Sequence, residues 1–272
     1  MESKGQWFAF SVDLEPNKDD TLDGIRDAME WFDETIPRGT VYTTHRIATE
    51  LSDVVSMLAT DHEIGVHVHP REFEHEHDQF AELTPERQRE LIATTRESVA
   101  EAAGIDEKDI VSFRAGRHSA SEETFNVLSD LGFEVDASIN VRYTDYLPAP
   151  LTNRSEPFYL DNGLLEIPTT YYRPHLFSRV GVRVFPQREL TATSNTLRTD
   201  SPICTGNQAI RNLFSAVEDG ISMYIHPYDA TSYHSDLENN GEVFRRRMEE
   251  VLSTIDRSHR FVTAAELLDY ST

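Results

Sequence analysis

Two histidines separated by a single residue, His67 and His69, have the clearest capacity for chemistry in this sequence. They lie in residues 62–70, whose sequence is HEIGVHVHP. A β-strand, with its period of two, would place both imidazoles on one face, and Pro70, which has no N–H to donate, would end it. Neutral imidazole is a favoured ligand of Zn²⁺, so the pair predicts a metal site if further ligands lie nearby. The alternative is an accidental pair, with one histidine packed or facing solvent.

The elements that would position these histidines alternate between strands and helices along the chain. Predicted strands cover residues 7–14, 40–44, the stretch with both histidines, 110–113, 133–137, 164–168, 180–184, 221–225 and 261–263. Strands that alternate with amphipathic helices pair in parallel through right-handed crossovers. About seven or eight such units predict an α/β fold, a complete or distorted barrel formed by residues 1–272 as a single domain.

Four helix starts are predicted from capping residues. Thr21 is the expected N-cap of the first helix, whose apolar stripe begins at Ile25. Thr84, followed by a proline, is expected to open a long helix that Gly104 ends. Thr49 is expected to open the helix after the second strand, and Ser119 resembles the first residue of a capping box.

Composition limits the classes of partner. The 272 residues are 38% hydrophobic and 10% aromatic, which is adequate for a core and argues against disorder. The formal net charge of -23 repels phosphates, so we expect no nucleic acid partner. Only Lys4, Lys18 and Lys108 are lysines. An acidic, lysine-poor surface that is kept soluble by self-repulsion indicates a halophilic protein from a high-salt habitat.

Targeting and redox signals are few. Cys204 is the only cysteine, which excludes an internal disulfide. The first six residues lead directly into a predicted strand, and no apolar run approaches the length needed to cross a bilayer. We therefore expect a cytoplasmic protein without an integral membrane segment.

Polar residues with catalytic potential follow the ends of the predicted strands. In a parallel barrel these ends meet at one rim, where barrel enzymes carry their catalytic residues. The residues are Asp13 and Glu15 after the first strand, His45 after the second, His67 and His69 at the third, Arg114, Arg117 and His118 after the fourth, Asp136 at the fifth and His226 near the seventh. We expect them to converge on one site.

Five short segments, in order, resemble the motifs of the polysaccharide deacetylase domain (NodB homology, carbohydrate esterase family 4). They are residues 11–15 (SVDLE), 63–67 (EIGVH), 113–117 (FRAGR), 135–138 (VDAS) and 224–227 (YIHP). The resemblance extends from about residue 8 to residue 268. It implies a distorted (β/α)7 TIM-like barrel and the metal-dependent removal of an acetyl group from an N-acetylated sugar.

This sequence departs from the family's pattern in its first two motifs. The family has two adjacent aspartates in the first, whereas Leu14 occupies the second position here. Strand alternation lets Asp13 and Glu15 share a face, so Glu15 is a candidate for the missing carboxylate. The second motif of the family spaces its histidines four apart, and Arg71 occupies that place. We expect His69 to substitute for it.

The third motif departs as well. The family ends it with Pro-Tyr, where a backbone N–H holds the oxyanion, and Gly116-Arg117 stands in that place here. This departure affects the expected substrate, which need not be chitin-like or peptidoglycan. It leaves the expected fold unchanged.

Residue types allow roles to be assigned. Two imidazoles and one carboxylate would hold a divalent metal, which we expect to be Zn²⁺, and would leave a position open for water. We assign His67, His69 and one of Asp13 or Glu15 to the metal, and the other carboxylate would be the general base. The resemblance favours Asp13 as base and Glu15 as ligand. The residues alone leave this division open.

The remaining roles have structural alternatives. His226 is the candidate general acid, because imidazole titrates near neutrality, although a hydrogen-bonded core histidine is the alternative. Arg114 is expected to orient the base by bidentate bonding, with Asp136 balancing its charge, and a purely structural buried pair competes with this. Arg117 would hold the oxyanion or an anionic group of the substrate, or would simply face solvent.

Other polar and aromatic residues are weaker candidates. His45 and His118 are secondary pocket residues. The histidines at positions 75 and 77 lie in an acidic loop, which we expect to be solvated rather than a second metal site. Candidates for a sugar-stacking wall, with core packing as their alternative, are Tyr171, Tyr172 and Phe177.

Three functional hypotheses remain. The first is a metal-dependent deacetylase acting on a carbohydrate or sugar conjugate in the cytoplasm. The second is a metal-dependent amidohydrolase of the same fold that acts on a non-sugar amide. The third is a non-catalytic carbohydrate-binding protein.

Overall fold

The structure is a computed structural model that describes residues 6–173, 189–202, 204–217, 220–233, 236–255 and 259–269. The strand predicted at 180–184 lies outside these residues, as does Phe177.

The described residues contain a long, curled sheet and a small hairpin. The strands are β1 (Gln6–Leu14), β2 (Thr40–Thr43), β3 (Glu63–Val68), β4 (Ser112–Ala115), β5 (Val135–Asp136), β6 (Phe158–Tyr159), β7 (Leu165–Glu166), β8 (Tyr171–Tyr172), β9 (Leu190–Thr191), β10 (Gly220–Ile225) and β11 (His259–Val262). The main sheet has the order β10-β1-β2-β3-β4-β5-β7-β6, and β11 also pairs with β1. Its pairs are parallel except that between β6 and β7.

Strand β1 shows how the sequence separates the two faces of this sheet. Its near-continuous apolar run is typical of a parallel strand that is buried on both faces. Phe10 packs against the helical layer, where its ring centroid lies 5.9 Å from that of Phe32. Trp7 and Ala9 belong instead to a second cluster, formed on the inside of the curled sheet. Asp13, four residues after Ala9 in the same alternation, therefore faces inward.

Helices cover the outside of the sheet. They are α1 (Ile25–Thr35), α2 (His45–Glu50), α3 (Ser52–Leu58), α4 (Pro85–Ala103), α5 (Glu122–Asp130), α6 (Ser194–Arg198), α7 (Gly206–Phe214) and α8 (Glu242–Ile255). No helix among the described residues is both long enough and apolar enough to span a membrane.

The start of α4 is confirmed, and the other three predicted starts are wrong. The N-cap of α1 is Gly24 rather than Thr21, whose hydroxyl donates to Asp19 Oδ1. Thr84 caps α4 by accepting the N–H of residue 87, and Gly104 ends it with φ 69°. The helix that Thr49 was expected to open is α3, which begins at Ser52, and Thr49 lies inside α2, which Thr44 caps directly after β2. The capping box of α5 begins at Ser121. Ser119 accepts the backbone N–H of residue 81 instead.

Hydrogen bonds outside the regular strands connect the two ends of the curled sheet. The backbone N–H of Thr170, in the segment after β7, donates to the carbonyl of Ser222 on β10 at 3.0 Å. The N–H of Tyr224 donates to the carbonyl of Ala192 at 3.3 Å. Irregular chain thus stands where a regular barrel would have strands, and the predicted fold class, an α/β distorted barrel, is confirmed.

Candidate metal centre and active site

Glu15, His67 and His69 converge at the carboxyl ends of β1 and β3. The His67 and His69 Nε2 atoms are 3.2 Å apart. Glu15 Oε2 lies 2.6 Å from His69 Nε2 and 3.4 Å from His67 Nε2. Among the described residues these three form the one group of histidine, cysteine and carboxylate side chains that could hold a metal ion. The strand period therefore brings together the ligands that the sequence suggested.

The second nitrogen of each imidazole is already used. His67 Nδ1 lies 2.8 Å from the carbonyl oxygen of Arg114, and His69 Nδ1 lies 2.7 Å from Asp78 Oδ2. Since a carbonyl and a carboxylate only accept, both Nδ1 atoms must carry hydrogen. The Nε2 lone pairs of the neutral imidazoles then face each other and the carboxylate of Glu15. Three electron pairs in contact require a cation or a proton between them.

The electrostatics agree with this requirement. Burial alone would lower the pKa of His69, but Glu15 and Asp78 raise it well above its usual value. Burial alone would raise the pKa of Glu15, but the two histidines hold it well below its usual value. The electrostatics of the cluster thus favour a proton or a cation between His69 and Glu15.

The ligand set fits a divalent metal. A tetrahedral site with bonds of about 2.0–2.1 Å has neighbouring ligand atoms about 3.3–3.4 Å apart. The observed Nε2–Nε2 distance of 3.2 Å and the distance of 3.4 Å from His67 to Glu15 come close to that edge. The shorter contact between His69 and Glu15 is a charge-assisted hydrogen bond. Two imidazoles and one carboxylate also leave a fourth position open.

Asp13 lies beside the cluster and is held by Arg114. The Arg114 Nη1 atom donates to Asp13 Oδ1 at 2.5 Å and to Ser11 Oγ at 2.9 Å, while Nε donates to the carbonyl of Ala137. The contact uses one guanidinium nitrogen, so the expected bidentate geometry is not formed. Burial alone would raise the pKa of Asp13, but Arg114 and the nearby histidines lower it. Asp13 is therefore ionised.

Asp136 does not form the ion pair with Arg114 that we expected. Its Oδ1 accepts the Ser138 hydroxyl at 2.6 Å, and its strand position is directly beside Glu166 on β7. Because Asp136 aligns with residue 113 rather than with residue 114, the strand alternation places its side chain on the opposite face from that of Arg114. Asp13 balances the guanidinium instead.

His226 lies across the site from the metal cluster. Its Nε2 is 3.7 Å from Glu15 Oε1 and 3.9 Å from Asp13 Oδ2. Its Nδ1 lies 3.5 Å from Asp229 Oδ2, which also accepts the backbone N–H of His226 at 2.9 Å. Burial alone would lower the pKa of His226, but Asp229 and Glu15 raise it. The imidazole can therefore carry a proton near neutral pH.

Asp229 and Arg198 extend this arrangement and were not predicted. The Arg198 Nε atom lies 2.7 Å from Asp229 Oδ1, and both side chains are buried. Asp229 follows His226 by only three residues, at a turn that opens with proline. That spacing was a signal for Asp229, whereas nothing local in the sequence indicates Arg198.

The turn that carries Gly116-Arg117 explains together the departures from the family's second and third motifs. A Cβ atom on Gly116 would lie 2.6 Å from the carbonyl oxygen of Val68 and 2.8 Å from His69 Nδ1. The glycine thus provides the space that His69 occupies. Arg117 and His118 both adopt left-handed conformations, with φ 53° and 55°, which are uncommon outside glycine and concentrate at functional sites.

His118 and Arg117 occupy different environments. The His118 Nδ1 atom lies 3.0 Å from the carbonyl oxygen of Ser138, and the ring stacks on Tyr143. Burial and the neighbouring Arg114 lower the pKa of His118 to about 3, so this imidazole is neutral. Arg117 is exposed and reaches the mouth of the site.

A cavity of about 820 Å³ opens over these residues. The predicted site residues that line it are Asp13, Glu15, His67, His69, Arg117, His118 and His226. Arg114 lies buried behind Asp13. The aromatic residues that line it are Tyr143, Tyr224 and Tyr228. The described members of the expected sugar wall, Tyr171 and Tyr172, do not.

The prediction that His45 is a pocket residue is wrong, because His45 does not line the cavity. It is the first residue of α2, and its Nδ1 lies 2.9 Å from Ser98 Oγ on α4. Its ring packs on Phe73. The rule that residues after a strand reach the rim fails here because the helix begins immediately and directs the side chain toward α4.

The acidic loop after β3 contributes one residue that the sequence did not single out. Asp78 is buried and holds His69. His75 pairs with Arg87, and the exposed His77 lies 3.6 Å from Glu82. The two loop histidines thus form no metal cluster within the described residues.

Comparison with known proteins confirms the resemblance that the five motifs indicate. The family model described as polysaccharide deacetylase matches residues 23–135. This part of the chain is thus similar to the polysaccharide deacetylase family. No curated protein sequence matches it.

Solved structures of the same fold include proteins described as deacetylases and one described as a pseudoenzyme. A protein from Mycobacterium smegmatis that is assigned as a polysaccharide deacetylase superposes with a TM-score of 0.64 at 13% identity, covering 99% of this chain and 92% of that one. A carbohydrate esterase family 4 pseudoenzyme from Bacillus anthracis gives 0.57 at 10%, covering 98% and 67%. The peptidoglycan deacetylase PdaC from Bacillus subtilis gives 0.50 at 10%, covering 99% and 93%.

Proposed function

We propose that this protein is a metal-dependent hydrolase that removes an acetyl group from an N-acetylated sugar or glycan. The observation that carries the proposal is the convergence of Glu15, His67 and His69, with Asp13 and His226 beside them. The polysaccharide deacetylase fold supports the same chemistry.

Glu15, His67 and His69 would hold the metal, and Zn²⁺ suits two imidazoles and a carboxylate. Such an ion, when bound, polarises the amide carbonyl and lowers the pKa of water at the open position. Asp78 and the carbonyl of residue 114 keep the two imidazoles in the tautomer whose Nε2 atoms are free to bind it.

Asp13 is the proposed general base. Glu15 contacts both histidines, whereas Asp13 is bonded to Arg114 and contacts neither imidazole of the metal cluster within 4.0 Å. This division supports Glu15 as ligand. The ionised Asp13 has Oδ2 directed toward the cavity, where it can take a proton from the attacking water.

His226 is the proposed general acid. Its raised pKa keeps a proton on the imidazole, and Asp229 orients the ring from the Nδ1 side. The Nε2–H faces the same space as Asp13 Oδ2, so it can protonate the leaving amine.

One observation favours a second candidate. A similar structure is described as a pseudoenzyme, and this chain departs from the family's motifs at Leu14, Arg71 and Gly116. A non-catalytic carbohydrate-binding protein is therefore the rival, and an amidohydrolase acting on a non-sugar amide has the same site chemistry.

We expect the Zn²⁺-loaded protein to release acetate from N-acetylglucosamine oligomers and to bind about one metal ion per chain.

Asp13→Asn and His226→Ala should each lower kcat at least about 100-fold while metal stays bound. His67→Ala should lose the metal, and His77→Ala, in the exposed loop, should keep both metal and activity.

Three results would contradict the proposal in different ways. Full turnover in Asp13→Asn or His226→Ala would refute the assigned roles. Hydrolysis of small cyclic amides but of no acetylated sugar would favour the amidohydrolase. A protein that ignores Zn²⁺ yet binds oligosaccharides would favour the non-catalytic alternative.

A further inference from the structure

We infer that the substrate of this site is anionic, and that Lys18, Arg71 and Arg117 bind a carboxylate or phosphate that lies next to the acetylated sugar. The part of this inference that concerns deacetylation rests on the proposed function. The charge pattern of the cavity supports an anionic ligand independently.

The three cations line the mouth of the cavity, and all three are exposed. Each lacks an ion pair with a carboxylate of the described residues, because no such oxygen lies within 4.0 Å of its charged nitrogens. Lys18 lies instead over the ring of Tyr228, 5.1 Å from its centroid.

Three unpaired cations around one cavity are unusual in this molecule. Acidic residues outnumber lysine and arginine by 48 to 25, and most exposed cations elsewhere in the described residues pair with a carboxylate, although Arg142, Arg154 and Arg246 do not. Arg26, Arg38 and Arg89 pair in this way on the surface. Three cations left without such a partner around one cavity therefore indicate that their counter-charge comes from a ligand.

The carboxylates of the cavity do not supply that counter-charge, since each is already engaged. Asp20 pairs with Arg46, and Asp78 with His69. Glu72 accepts the backbone N–H of Arg46. The two remaining lining carboxylates belong to the proposed catalytic residues described above.

The long-range field strengthens this argument. A net charge of -23 repels an anionic ligand from most of the surface. A local group of cations at the cavity mouth offsets part of that repulsion where the ligand must enter. A neutral glycan would need no such group.

The walls of the cavity suit a sugar between these charges. Tyr143 is 49% exposed, and its ring is held in place by stacking on His118. Tyr228, under Lys18, stacks on His226. An aromatic face beside a cation is suited to a sugar ring that carries a negative group.

The test compares matched oligosaccharides at fixed ionic strength. Hyaluronan tetrasaccharide alternates N-acetylglucosamine with glucuronate, and chitotetraose is its neutral counterpart. We expect kcat/KM for acetate release to be about tenfold higher for the anionic tetrasaccharide, and the preference should fall as NaCl is raised. The same comparison of kcat/KM between N-acetylglucosamine 1-phosphate and free N-acetylglucosamine tests whether the anion that the site binds is a phosphate rather than a carboxylate.

Variants assign the preference to the cations. The double variant Lys18→Gln/Arg71→Gln should lower the anionic-to-neutral ratio of kcat/KM about tenfold. Arg246→Gln is the control, because it removes the same charge from an exposed position on α8 outside the cavity. It should keep the wild-type ratio.

Calorimetric binding to the Zn²⁺-loaded protein keeps the two proposals distinguishable. Equal or better turnover and binding of chitotetraose would overturn the anionic substrate and leave the deacetylase intact. Tighter binding of hyaluronan tetrasaccharide without acetate release from any substrate would support the anion site and refute the deacetylase. Equal binding without turnover would refute both.

Discussion

Asp78 orients a proposed metal ligand from outside the recognisable motifs. Its Oδ2 lies 2.7 Å from His69 Nδ1, and its Oδ1 accepts the backbone N–H of Arg71 at 3.4 Å. Burial alone would raise the pKa of Asp78, but His69 lowers it, so the carboxylate stays ionised. A carboxylate behind an imidazole fixes its tautomer and raises its basicity toward a metal.

We expect Asp78→Asn to weaken Zn²⁺ binding about 10- to 100-fold, since the amide holds the imidazole less strongly. Competition with a chromophoric chelator measures the dissociation constant. Glu76→Gln is the control, because it makes the same chemical change at an exposed position of the same loop. Equal losses in both variants would mean that net charge, and not the contact with His69, controls affinity.

The sequence predicted those site residues whose direction follows from a regular strand. His67 lies on β3, and Glu15 and His69 each follow directly after the end of β1 or β3, where the alternation of the strand still indicates their face. Asp78 lies in an irregular loop, and His45 begins a helix, so no period determines where they point. Loop geometry depends on tertiary contacts that a single sequence does not display.

Strands β5 and β7 place two acids side by side in the core. Asp136 and Glu166 are aligned in the parallel register, and neither is exposed. Burial and the neighbouring Asp136 raise the pKa of Glu166 well above its usual value. The pair is stable in the fold with a proton on Glu166, whose Oε1 accepts the backbone N–H of Ile139 at 2.9 Å.

This pair predicts a dependence of stability on pH. A folded-state pKa above the unfolded value means that the folded protein binds the proton more readily. The stabilisation that comes from the proton on Glu166 is therefore complete below the pKa of this group in the unfolded chain. It is lost as the pH rises through the pKa of Glu166 in the folded protein, by at most about 1.4 kcal/mol per pH unit. Glu166→Gln keeps the neutral state and the acceptor oxygen.

We expect the free energy of unfolding of Glu166→Gln to rise relative to wild type as the pH increases from about 5 to about 9. Urea denaturation at constant salt measures it. Glu134→Gln is the control, since it is exposed and lies directly before β5. Parallel stability curves for wild type and Glu166→Gln across this range would show that the buried acid carries no raised pKa.

Element types were easier to predict than element ends. The helix from Thr84 to Gly104 was readable because its cap and its left-handed terminal glycine are local signals. The helix after β4 begins two residues later than expected, because Ser119 is used by a distant backbone N–H. Strand β4 runs from 112 to 115 rather than 110 to 113, since its length is decided by pairing with β3.

Charge acts at the scale of the whole molecule. Forty-eight acidic residues oppose 25 lysines and arginines, and many carboxylates are exposed. The ion pairs of the surface, such as Arg26 with Asp53 and Arg89 with Asp130, offset only part of this excess. The repulsion that remains disfavours the compact state, and salt screens it.

The acidic surface predicts that the folded state requires salt. The Debye length falls from about 30 Å at 0.01 M to about 3 Å at 1 M, so dilution restores repulsion between exposed carboxylates. We expect Tm to fall steeply when NaCl is lowered from molar to millimolar concentration. The variant Glu34→Gln/Glu97→Gln/Glu101→Gln removes three exposed carboxylates that form no ion pair with the described residues, and it should lose less Tm on dilution. KCl screens charges as NaCl does, so KCl should maintain Tm equally well at the same concentration. A wild-type Tm that is independent of salt, or a triple variant as sensitive as wild type, would show that carboxylate repulsion does not limit stability.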